Sequence, residues 1–242
     1  MMLVIPRCGA AWQVRGMRVR YSAGLEIDAL LDPSASAWNK SRAEQVALIG
    51  TPLGLQPTPA IQVSWAKRKI GAVGSVSVAA VHDGRTLAFA LEWSDPTESR
   101  EMQDTTSFPD AAAIVLPAVP GAVMLTMGAP GAPVNAWYWR ADEATGREVV
   151  AEGIGTSRTV GRDQLATRSV WKGGRWRIVL ARALRLQTSE PVAQLEPGQT
   201  TQFGVAIWEG GSQERAGIKA FSIDWRELRL DALPTAAQRS VQ

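Results

Sequence analysis

The chain has 242 residues, 45% of them hydrophobic and 20% charged, with a net charge of +3. This is ordinary globular composition, long enough to bury a large core, and one all-β domain reaches this size. The small basic excess has no Lys/Arg run, which argues against nucleic-acid binding, and no apolar run reaches the roughly 18 residues a membrane helix needs.

The first element in chain order is a strand within residues 12–31, where Val14, Met17, Val19 and Tyr21 alternate with arginines, before the apolar pair Leu30-Leu31. The start, Met1 to Ala11, is too short and too broken by Pro6 and Arg7 to read as a secretory leader. Asp32-Pro33-Ser34 starts a loop, and Ser41 to Glu44 has loose capping-box spacing for at most a short helix. Residues 51–60 hold three prolines and read as loop. From Ile61 the period is twofold. Ile61 to Trp65 and Val73 to Val81 alternate as strands, and His82-Asp83-Gly84-Arg85 reads as a hairpin turn that leaves His82 exposed at its tip.

Leu87 to Trp93 is the returning strand, and Ala111 to Leu116 is a buried apolar strand or short helix. Met127 to Pro133 is a Gly/Pro loop leading into the aromatic strand Val134 to Arg140. A methionine at the lip of such a loop, beside a wall of indoles, suits a flat apolar cofactor. Glu148 to Ala151 forms a further strand, followed by a polar loop through Arg168 and a hairpin at Trp171–Trp176 whose outgoing strand ends at Leu184. Gly204 to Glu209 and Phe221 to Leu230 are the last strands, and Pro234 to Gln242 is a loose tail. At least eight short strands without a sustained 3.6-residue period predict an all-β antiparallel β-sandwich, one domain over 1–242, with a few short helices in its loops.

Catalytic chemistry is hard to build from these residues. The one cysteine, Cys8, allows neither a disulfide within the chain nor a thiolate cluster, and the one histidine, His82, cannot supply a metal site by itself. Ten tryptophans favour binding. On the residues alone they either fill a sandwich or present Trp93, Trp137 or Trp139 as a stacking platform for a sugar ring, as in a carbohydrate-binding module.

Three ordered segments tilt this choice. Leu87 to Thr97 ends in W-S-D-P-T and is followed by F-P-D-A-A-A-I at Phe108 to Ile114; Met127-Gly128 precedes V-N-A-W-Y-W-R-A-D at Val134 to Asp142; and G-I-K-A-F-S-I-D-W runs from Gly217 to Trp225. Together they resemble the haem b-binding γ subunits of the ethylbenzene dehydrogenase group, the type II dimethylsulfoxide reductase family. Trp171 to Leu184 fits the same pattern, and one departure is Ala129, where the family has an acid.

The resemblance implies a b-type haem held by one methionine and one lysine, which correspond here to Met127 and Lys219. Met124 and Met102 are rival sulfurs, Lys172 is the rival lysine, and His82 ranks third. Trp137 and Trp139, on one face of their strand, are expected against the porphyrin, with Arg140, Arg175 or Arg177 as partners for its propionates. By the same resemblance the chain is a non-catalytic electron-transfer subunit in a periplasmic heterotrimer with a molybdenum catalytic subunit and an iron–sulfur subunit. It would exchange electrons with a soluble c-type cytochrome.

Overall fold

Many segments alternate apolar and polar residues, and the described residues form fourteen strands. The computed structural model describes residues 16–24, 26–39, 41–102 and 106–235; Cys8 and residues 236–242 of the expected tail lie outside the described residues. The strands are β1 Met17–Tyr21, β2 Glu44–Ala47, β3 Ile49–Gly50, β4 Ser75–His82, β5 Thr86–Ser94, β6 Ala111–Pro117 and β7 Val134–Arg140. Then follow β8 Arg147–Ala151, β9 Arg158–Gly161, β10 Ala166–Trp171, β11 Arg175–Ala183, β12 Thr200–Trp208, β13 Ala220–Phe221 and β14 Arg226–Leu230. Three short helices lie in the connections: α1 Ile27–Leu30, α2 Ser36–Asn39 and α3 Pro59–Trp65.

One layer runs β10-β11-β5-β4, with β2 also on β4; the other runs β12-β6-β7-β8-β9, with β13 on β12 and β3 on β13. β1 and β14 join the layers. β1 is parallel to both β4 and β14, and β14 is antiparallel to the first half of β12. The expected sandwich is therefore correct, with these two parallel pairings in an otherwise antiparallel topology. Phe89, Trp93 and Trp176 from one layer meet Trp137, Trp139 and Phe203 from the other in a single core. Trp139 meets Trp176 edge-on at 4.9 Å between ring centroids, and Phe89 meets Trp137 at 5.6 Å, the geometry aromatic quadrupoles favour.

Several local expectations need correction. Ile61 to Trp65 is helix α3: Thr58 accepts a hydrogen bond from the Ile61 N–H, and Pro59 opens the first turn. Its alternation was accidental, since Val63 is 78% exposed while Trp65 is buried. Ser41 to Glu44 starts no helix; α2 has already ended, and Glu44 opens β2. The polar stretch through Arg168 contains β9 and β10, edge positions that tolerate exposed polar residues. Phe221 to Leu230 is two strands, because β13 leaves β12 before β14 joins it. His82 is not an exposed turn tip but the fully buried last residue of β4, with Tyr21 edge-on at 5.7 Å.

Candidate functional site

A cleft of about 450 Å³ opens on the outer face of the β12-β6-β7-β8 layer, a volume within the usual range for small-molecule sites. Its floor follows from the period of two. Ala206 lies opposite Ala113, Ala113 opposite Tyr138, and Val115 opposite Ala136, which in turn faces Val149. These outward positions are mostly alanine or valine, so the floor is a low, flat shelf. Segment 51–61 and the loops at 125–127 and 154–159 form the walls.

Lys219 reaches the cleft from the residue before β13. Its carbonyl accepts hydrogen bonds from Thr51 N (2.9 Å) and Thr51 Oγ1 (3.0 Å), which fixes its backbone. A side chain at Gly217, the glycine of the G-x-K segment, would collide with Gln56 Oε1, and the Gln56 amide donates to the Gly217 carbonyl (3.1 Å). Lys219 is only 7% exposed, and its Nζ lies 5.4 Å from the Trp208 ring centroid. No carboxylate pairs with it among the described residues, and burial lowers its pKa to about 8.

Met127 enters from the other side, where β7 begins and β8 ends. Its N–H donates to Met124 O (3.0 Å) and its carbonyl accepts from Gly153 N (2.9 Å). These bonds hold it at φ +56°, a left-handed conformation that costs a non-glycine residue about 1–2 kcal/mol. Gly128 follows at φ +84°, and a Cβ there would lie 2.7 Å from Ala151 O. Ala129, the departure from the family pattern, pairs its backbone with Ala132 across the loop tip, while Glu152 accepts from Gly131 N (3.1 Å). Met127 and Lys219 thus share one cleft.

The indoles do not. Trp137 and Trp139 point to the inner face of β7, 0% and 1% exposed, and the residue between them, Tyr138, faces the cleft. Period two separates the faces correctly; the bulkier pair fills the space between layers. The same burial, shared by Trp93, removes the sugar-stacking platform, since a core ring presents no face to a ligand. Arg140 is absent from the lining and pairs with Asp142 (2.5 Å) and Glu143 (3.1 Å). Arg175 and Arg177 both bind Glu92 on the other layer. Met124 is buried beneath the loop, Met102 and Lys172 are exposed, and neither these nor His82 line the cleft.

Sequence reasoning missed Tyr138, Trp208, Arg147 and Arg158, all of which line the cleft. The acidic motif residues have another place. Asp95 accepts from Thr97 N (3.1 Å), and Asp110 accepts from Gly210 N (2.8 Å), Ser99 N (2.9 Å) and Trp176 Nε1 (2.9 Å). Both are buried; burial raises Asp95 to about 7 and Asp110 to about 6. They tie the ends of β5, β6 and β12 together and do not line the cleft.

A thioether and a lysine without a carboxylate partner among the described residues thus flank a shelf of small apolar side chains. The family model described as ethylbenzene dehydrogenase matches residues 35–164 and 153–220. The chain belongs to the ethylbenzene dehydrogenase family. It is 38% identical over 199 residues to the chlorate reductase subunit gamma of Ideonella dechloratans, covering 81% of this chain and 78% of that one. It is 30% identical to the putative respiratory nitrate reductase heme subunit ORF7 of Haloferax mediterranei (80% of this chain, 66% of that one). To the dimethylsulfide dehydrogenase subunit gamma of Rhodovulum sulfidophilum it is 29% identical (60% and 57%). Among solved structures, a family 9 carbohydrate-binding module of Caldicellulosiruptor kristjanssonii in complex with glucose aligns over 90% of this chain and 97% of its own with TM-score 0.50. At 12% identity, the likeness is one of fold. Within the ethylbenzene dehydrogenase family this chain thus pairs a β-sandwich with a cleft on its outer face.

Proposed function

We propose that the chain binds one haem b in this cleft, with Met127 and Lys219 as axial ligands, and serves as a non-catalytic electron-transfer subunit. The observation that carries the reading is that these two side chains line one cleft whose floor is alanine and valine. Haem supplies a one-electron iron couple when bound. The chain's residues supply the rest. Lys219 can offer a free amine near neutral pH because burial already disfavours its ammonium form. Met127 offers a neutral thioether, a ligand that raises the potential. The shelf of small side chains would leave room for a macrocycle beside the sheet and keep water from it.

As a γ subunit, the chain would relay electrons between the iron–sulfur subunit of a periplasmic molybdenum oxidoreductase and a soluble c-type cytochrome, in a heterotrimer with the catalytic subunit. The family membership and the relatives, two γ subunits and a putative heme subunit, support this assignment.

The test is a visible spectrum and a redox titration of protein supplied with haem. A red protein with a Soret band is expected. Met127→Ala should lower the potential, and Lys219→Ala should shift the low-spin bands or lose the haem. A colourless wild type would refute haem binding, and two variants with wild-type spectra and potentials would refute the ligand pair.

A further inference from the structure

The axial pair leaves the cleft's two guanidinium groups without a role. Arg147 opens β8 with its Cα opposite that of Tyr138, and its guanidinium stands 4.8 Å from the Tyr138 ring centroid. Tyr138 meets Trp208 edge-on at 5.4 Å, and Trp208 in turn lies 5.4 Å from Lys219 Nζ. A row of cation, ring, ring and cation therefore crosses the cleft, with Arg147 at the end away from Lys219.

Three arginines share one carboxylate at that end. Glu143 lies 2.9 Å from Arg147, 3.1 Å from Arg140 and 3.7 Å from Arg162, and Asp142 adds a second carboxylate on Arg140 alone. Three guanidinium groups against two carboxylates leave this rim with an unmatched positive charge. The Arg147 side chain is 17% exposed, and the carboxylate at its Nε, Glu143 at 2.9 Å, is shared with Arg140 and Arg162. A guanidinium has five N–H donors, so one that shares its carboxylate can make a further charge-assisted bond to a second carboxylate. Arg158 differs. Its side chain is 52% exposed and bound to Glu190 at 2.6 Å, so its charge is already met and largely hydrated.

We propose that Arg147 binds a carboxylate of the cofactor, a haem propionate, and that Arg158 does not. This rests on the haem reading above. Ferric protoporphyrin IX and its dimethyl ester, in which both carboxylates are masked, should be titrated into the haem-free protein and followed at the Soret band. Wild type is expected to prefer the free acid by roughly tenfold to a hundredfold, the range for a charge-assisted hydrogen bond.

Arg147→Gln should lose most of that preference by weakening the free acid and leaving the ester unchanged. Arg147→Lys, which keeps the charge without the fork and guards against misfolding of the first variant, should keep part of it. Arg158→Gln should keep all of it. Equal wild-type affinity for acid and ester, or an undiminished preference in Arg147→Gln, would overturn the assignment alone. Loss of the preference in Arg158→Gln would move the anchor to that residue. A wild type that binds neither porphyrin would remove the haem reading and this assignment with it.

Discussion

Lys219 is where sequence, burial and chemistry meet most sharply. An ammonium without a counter-ion inside a protein destabilises the fold, and the lowered pKa measures that cost. The sign follows from linkage. Between about 8, its folded value, and the ordinary lysine value of 10.5, the unfolded chain binds more protons than the folded one, so stability rises with pH across that window. Below about 8 the penalty is full, on the order of 3 kcal/mol. Haem-free wild type should therefore gain stability relative to Lys219→Met between pH 7.5 and 10 (approximate conditions chosen to span the shift), read from urea unfolding. Lys219→Met should be the more stable protein at neutral pH, and a pH-independent difference between the two would refute the buried-ammonium account. The choice of Met127 and Lys219 came from the family resemblance, and the structure places both along one cleft. Their burial was not legible, because a loop methionine and a strand-end lysine look the same in sequence whether they face water or a cleft.

The elements around the cleft show which local signals suffice. β5, β6, β7, β11 and β12 carry long alternating or apolar runs; the sequence placed four of them as strands and left Ala111 to Leu116, in β6, open between strand and short helix. A five-residue run such as Ile61 to Trp65 cannot separate two periods, and the Thr58-Pro59 start decides for helix. Alternation also divides β7 into two faces without saying which one meets the opposite layer. That is why Trp137 and Trp139 were expected at the cofactor and Tyr138 was not. The loop before β7 was read as Gly/Pro-rich, and the structure distinguishes its glycines. Gly128→Ala meets both a positive φ and two carbonyl oxygens, Ala151 at 2.7 Å and Ala132 at 2.8 Å, whereas a Cβ at Gly131 (φ +74°) meets nothing within 4 Å. Gly131→Ala should cost only the left-handed penalty, about 1–2 kcal/mol. Gly128→Ala should cost more and should also weaken haem retention, since it displaces the neighbour that carries the thioether. Thermal melts and Soret intensity report the two effects; equal losses would show that the packing at Gly128 has no consequence.

At the scale of the whole molecule, the cleft floor is only as firm as the strands beneath it, and one buried network ties those strands to the other layer. Arg182 on β11 reaches across the core to Glu148 on β8 (3.1 Å) and Asn135 on β7 (3.3 Å), both fully buried, and stacks 4.7 Å from the Trp137 centroid. It also donates to the carbonyls of Ala193 (2.6 Å) and Ala183 (2.9 Å). Glu148→Gln leaves a buried guanidinium without its counter-charge and should cost about 3–5 kcal/mol. A plain buried ion pair can often be replaced by two apolar residues at little cost. Here the carbonyls argue otherwise. Arg182→Met combined with Glu148→Leu removes the stranded charge but leaves the Ala193 carbonyl without its Arg182 donor, at about 1–3 kcal/mol for such a buried group. The double variant should therefore recover part of the loss seen in Glu148→Gln and still unfold at lower urea than wild type. Full recovery would mean that the network is a charge pair and nothing more. No recovery would mean that Arg182 acts chiefly through the backbone it holds, and that the floor under Ala136 and Val149 depends on that grip.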